Sequence, residues 1–174
     1  MGLFKKRVSP EELGVISFKF SMTCAVSLSE DQEFISQHYL TKDDSLHVIL
    51  ESGLFFNFAG VDFISNLPWQ HEQKKRFLLS VINEFKKMCV KFLELSEEDA
   101  KDIENIAIER IYEYMEIASD TSYENWLIPF ARISLENVIG KECNDAFQCL
   151  EFATRYSCAF TTLSRIFKDY KVIF

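Results

Sequence analysis

Asp44, His47 and Glu51 stand three and four residues apart, the offsets that place side chains on one face of a helix. Two carboxylates and an imidazole in that array are a ligand set for a divalent metal. The same face lies opposite Leu46, Ile49 and Leu50, so it is expected to point to water, and a metal site usually recruits a further ligand from a second element. His38 and His71 are isolated in sequence. His71-Glu72 begins like the zinc motif H-E-x-x-H, but Lys75 occupies the second histidine's place. There is no G-x-S-x-G elbow and no phosphate-cradling glycine loop, and five glycines in the whole chain make such loops hard to build. These patterns predict neither an enzyme nor a cofactor.

A second group of residues is apolar. Seventeen phenylalanines imply a bulky aromatic core. Phe55, Phe56, Phe58 and Phe63, with Trp69 beyond them, are candidates to line an apolar ligand pocket between helices; core packing is the competing use. They exceed what one short helix hides on one face, which suggests a subunit contact and a homo-oligomer.

The third pattern is charge. The chain carries −8 overall, yet residues 94 to 124 hold eleven acidic and two basic side chains, so this segment carries −9 and the remainder +1. Glu98, Asp102, Glu109, Glu113, Glu116 and Asp120 fall within about 60° of one another on a helix. Such a stripe is either a solvated face or a surface for a basic protein partner, where charge speeds encounter and rejects wrong partners. Residues 74 to 91 are the opposite, with Lys74, Lys75, Arg76, Lys86, Lys87 and Lys91 against Glu84. Nucleic acid is not an expected ligand, because phosphate contacts need a net basic surface. Arg110 sits among the isoleucines of the acidic helix; its guanidinium is expected to snorkel outwards, with a buried ion pair as the alternative.

The elements that carry these patterns follow from periodicity. Ser9-Pro10-Glu11-Glu12 is a capping box, and the segment after it reads as either a strand alternating over 16 to 28 or a helix. The helix is favoured because an isolated two-stranded pair is marginal. Ser29 to Gln32 predicts the start of a short helix to about Tyr39, and Thr41 that of a third towards Gly53 or Gly60. Leu78, Val81, Ile82, Phe85, Cys89, Phe92 and Leu93 trace one seam over 69 to 95. Beyond the cap Ser96, Ile103, Ile106, Ala107, Ile111, Tyr114, Ile117 and Ala118 trace another, so the two helices should form an antiparallel hairpin. A helix from about Ser122 breaks or begins at Pro129 and stops at Gly140, and the last runs over about 144 to 168. Within it Cys149, Ala153, Ser157 and Thr161 form a row of small residues that lets another helix approach closely.

The spacing therefore predicts an all-α, single-domain bundle of about six or seven helices over 9–174, preceded by a flexible N-terminal arm at 1–8; a short β-hairpin from the N-terminal third is the alternative. Five cysteines without C-x-x-C spacing read as reduced core thiols, with Cys143 and Cys149 too far apart for a zinc knuckle or redox pair, and a cytoplasmic location is expected. The apolar run Ser52–Val61 is too short for a membrane span. Two functions are expected from these features: a non-catalytic protein-interaction module (adaptor, regulator or inhibitor) with an acidic helix face, or a helical binder of an apolar small molecule or divalent metal.

Overall fold

The computed structural model describes residues 5–92, 94–120 and 125–173. Among them seven α-helices form an all-α bundle: α1 (Pro10–Ser29), α2 (Gln32–His38), α3 (Ser45–Ser65), α4 (His71–Phe92), α5 (Glu97–Ser119), α6 (Leu127–Ile139) and α7 (Ala146–Lys168). The short strands β1 (Lys6–Val8) and β2 (Tyr170–Val172) pair in parallel and tie the two ends of the bundle together. Of the arm expected over 1–8, residues 1–4 lie outside the described ones, while Lys6–Val8 form a strand and Val8 is buried: β2 supplies the ladder partners, which a reading of the first residues alone does not show.

The capping boxes work unevenly. Ser9 accepts from the Glu12 amide while Glu12 reaches back to the Ser9 amide, so α1 starts where expected, and the region that alternates in sequence is helical. Ser29 instead closes α1, and Asp31 caps α2 by accepting from the amides of Glu33 and Phe34. Pro129 falls in the first turn of α6, where it displaces no intrahelical donor, and Gly140 ends the helix with φ +66°.

α3 is the centre, and every residue from Glu51 to Val61 is buried. It is also the one helix among the described residues long and apolar enough to cross a bilayer, and 67% of that apolar window is buried inside the bundle. The helix passes both glycines that read as stops because they serve close approach. A Cβ on Gly60 would collide with Ser17 Oγ, and one on Gly53 would lie 2.8 Å from Met22 Sδ. Gly14 of α1 meets the Phe77 carbonyl of α4 in the same way, at 2.7 Å. α1 therefore seats against its neighbours through Gly14, Ser17, Ser21 and Ala25, all buried. The small-residue row expected on α7 leaves the core after Ala153, since Ser157 and Thr161 are exposed. α7 packs instead through Phe152, Tyr156, Leu163 and Phe167.

Candidate interaction surface

The Ser96 hydroxyl accepts from the Asp99 amide at 3.1 Å and opens α5, whose first turn carries Glu97, Glu98 and Asp99 against the positive end of the helix dipole. Ala100, Ala107, Ile111 and Tyr114 are buried and fix the rotation of the helix. α4 faces it with Val81, Ile82, Phe85 and Cys89, and Lys86 pairs with Glu104 across the hairpin at 3.2 Å. That rotation sends the acidic row outwards. Glu98, Asp102, Glu109, Glu116 and Asp120 are exposed; Glu113, at the edge of the row, is 40% exposed and bonded to Arg110.

Arg110 does not snorkel. Its guanidinium crosses to α3, where Nε and Nη2 donate to the two Glu51 oxygens at 3.2 and 3.4 Å, while Nη1 donates to Glu113 at 2.7 Å. Burial works against its charge, but the two carboxylates outweigh that and its pKa is raised. The pair holds α5 to the core. Next to it Tyr114 is wholly buried, and burial pushes its phenol up to about 12 although Asn137 and Ser134 adjoin it. Tyr114 Oη, Ser134 Oγ and Asn137 Nδ2 lie there without a well-formed hydrogen bond, a polar pocket of the kind that a buried water completes.

The ridge is not purely polar. Ile106, expected on the buried seam, is 47% exposed at about 80° from Glu98, at the border of the acidic row. Ile106, Glu109, Arg110 and Glu113 line a depression of about 300 Å³. Because Arg110 is already committed to two carboxylates, the free surface of this depression is acidic at Glu109 and apolar at Ile106. On the other flank of α5, Tyr112 and Met115 are 59% and 38% exposed.

No family model, curated protein or solved structure matches this chain. The reading of the site rests on its own geometry.

The metal ligands expected at Asp44, His47 and Glu51 are not brought together. Asp44 accepts from the Thr41 amide and hydroxyl at 2.7 and 2.8 Å, which lowers its pKa; His47 Nε2 lies 2.8 Å from the Asn137 carbonyl oxygen; Glu51 faces Arg110. Among the described residues no three His, Cys, Asp or Glu side chains form a group able to hold a metal ion. The aromatic pocket is corrected as well. Phe55, Phe56 and Phe58 are buried. Phe55 stacks on Phe152 at 4.3 Å and on Phe130 at 5.5 Å, and Phe58 meets Tyr114 and Phe130 at 5.5 and 5.2 Å. Phe63 packs against Phe160 and Phe167, and Trp69 is half-buried against the core. Phe56 borders a surface groove between α1 and α7, and Phe58 a different one beside Asp62, so the five do not share a cavity.

Sequence spacing also missed a thiol pair. Cys143 and Cys149 are buried at the α6–α7 turn, where burial and then the adjoining Cys143 thiol push the Cys149 thiol up. The turn forced by Gly140 brings them together; six residues of separation do not reveal it.

Proposed function

We propose that this protein is a non-catalytic interaction module, an adaptor, regulator or inhibitor, that presents the outer ridge of α5 to a basic protein partner. The observation that carries this is the depression at Ile106, Glu109 and Glu113 within a row of exposed carboxylates. A lysine or arginine of the partner fits there with its stem on Ile106 and its charge at Glu109, the carboxylate of the depression that Arg110 does not bond. Arg110 does not neutralise Glu109, since its three donor contacts go to Glu51 and Glu113. The acids further along α5 act over longer range, raising the association rate more than they strengthen the complex.

A charge-swap tests it. A partner is captured at low salt, purified and titrated against the wild-type protein and the variant Glu109→Lys/Glu116→Lys. Affinity should fall at least tenfold and lose most of its salt dependence, and reversing the partner's contacting basic residues should restore it. Equal binding by both proteins would rule the ridge out.

Self-association has a separate foundation from the one expected. The phenylalanines of α3 are internal, whereas Phe147 and Leu150, three residues apart on α7, are 85% and 54% exposed. Sedimentation of Phe147→Ser beside the wild type tests whether copies meet there; a concentration-independent monomer in both removes this reading.

A further inference from the structure

Between α4 and α5, beside the ridge but turned about 100° away from it, runs an apolar groove of about 480 Å³. Its floor is the surface of Val61, Ile64, Phe77, Ile82 and Ile111, and its lips are Leu79 on α4 and Tyr112 and Met115 on α5. The lips are the unusual part: Leu79 is 47% exposed and Tyr112 59%, although both stand over an apolar floor. The polar side chains of the groove are unevenly placed. His71, Lys74 and Lys75 all lie at the α4 N-terminal end, beside Ser65, and the half towards Ile82 and Ile108 is apolar. In a chain with 27 acidic residues, none of the fourteen lining residues is Asp or Glu. Lys74 donates to the Ser65 carbonyl at 2.6 Å, which holds one ammonium at the mouth, while Lys75 and His71 are exposed there.

We infer that this groove binds one free medium-chain fatty acid, its carboxylate at Lys74, Lys75 and His71 and its alkyl chain laid along the α4–α5 seam towards Ile82. From His71 to Ile82 the helix rises about 16 Å, room for an alkyl chain of medium to long length. The volume lies within the range of small-molecule sites. A cationic or zwitterionic amphiphile meets the wrong charge at the mouth, and an uncharged alcohol has nothing there to neutralise. Because the groove and the acidic ridge use different faces of α5, ligand and protein partner can be held at once.

The test is calorimetric titration of the full-length protein with dodecanoic acid, decanoic acid and dodecanol, each below its micelle concentration. Dodecanoic acid should saturate at one per chain. Each methylene buried is worth about fourfold in affinity, so decanoic acid, two methylenes shorter, should bind roughly fifteenfold more weakly. Dodecanol should bind at least tenfold more weakly than dodecanoic acid. Lys75→Glu should weaken the acid but not the alcohol, and Tyr112→Glu, at an exposed position, should weaken both. Glu109→Lys/Glu116→Lys, the variant that tests the ridge, should leave dodecanoic acid binding intact, so the two proposals fail separately. Absence of saturable binding, equal affinity for acid and alcohol, or indifference to both groove variants would overturn the inference. So would adsorption to phosphatidylserine vesicles without one-to-one binding of the free acid, which would make the groove a membrane contact.

Discussion

α3 and α5 are of similar length and both carry bulky apolar side chains, but they end in opposite situations. α3 is enclosed from Glu51 to Val61: Ser17 and Met22 of α1 press against its glycines on one flank, and Phe130, Phe152 and Tyr156 fill the other. α5 is enclosed on one side only and leaves Ile106, Tyr112 and Met115 in water between its acids. The richest aromatic run in the sequence is therefore used up by packing, while the helix that reads as a solvated acidic face retains apolar surface. A binding surface is better sought where large apolar residues stay exposed than where they are most numerous.

The contrast can be broken at its strongest point first. Phe130 is fully buried and touches Phe55, Phe58, Tyr114 and Tyr156. Phe130→Ala should cost about 3–5 kcal/mol in urea unfolding, as expected for an aromatic lost from a closed core. A cost below 1 kcal/mol would mean that the α3 side is not closed.

Next comes the strut between the two helices. Glu51→Ala leaves Arg110 with Glu113 alone and should cost roughly 2 kcal/mol, less than the loss of a fully buried pair because one carboxylate remains and Arg110 is partly exposed. Glu51→Leu with Arg110→Met should cost less than Glu51→Ala. If the double variant is the worse, the pair contributes net stability beyond orientation.

On the other flank of α3, Gly60→Ala should destabilise by about 1–3 kcal/mol, since the new methyl collides with Ser17 Oγ. Ser17→Ala should recover most of this. Failure of that rescue would place the tight contact elsewhere.

The smallest stability effect is electrostatic. The Arg76 hydrogen bonds hold the Glu11 carboxyl at about 2, against an ordinary value of 4.5. A lowered carboxylate pKa contributes stability above the ordinary value and loses it as pH falls towards the folded one. The pair is more than a third exposed, so solvent screening keeps the effect small. The difference in Tm between wild type and Arg76→Met should therefore shrink from about pH 6 to about pH 3. A difference that widens on acidification would contradict the assignment.

Much of this architecture is legible in the residues. The Ser9, Ser96 and Gly140 signals mark helix ends correctly because each acts through backbone atoms within a few positions. What is not legible depends on partners far along the chain. Gly53 and Gly60 read as stops until α1 supplies the close contact, and Asp31 outcompetes Ser29 because Ser29 is drawn into α1. Arg110 reads as a snorkelling side chain because Glu51, 59 residues away, cannot be placed beside it from spacing. The site divides the same way. The acidic row of α5 is local periodicity and is visible; the exposure of Ile106 follows from a rotation of α5 that Ala100, Ala107 and Tyr114 set against other helices.

The most direct test of the division between a closed α3 and an open α5 is to measure stability and partner affinity together on Asp102→Lys/Glu109→Lys/Glu116→Lys. The expected result is a Tm equal to or above that of the wild type, since three mutually repelling carboxylates are removed from a solvated face, with partner binding lost. A lowered Tm with partner binding retained would show that the ridge serves the fold and not an interaction.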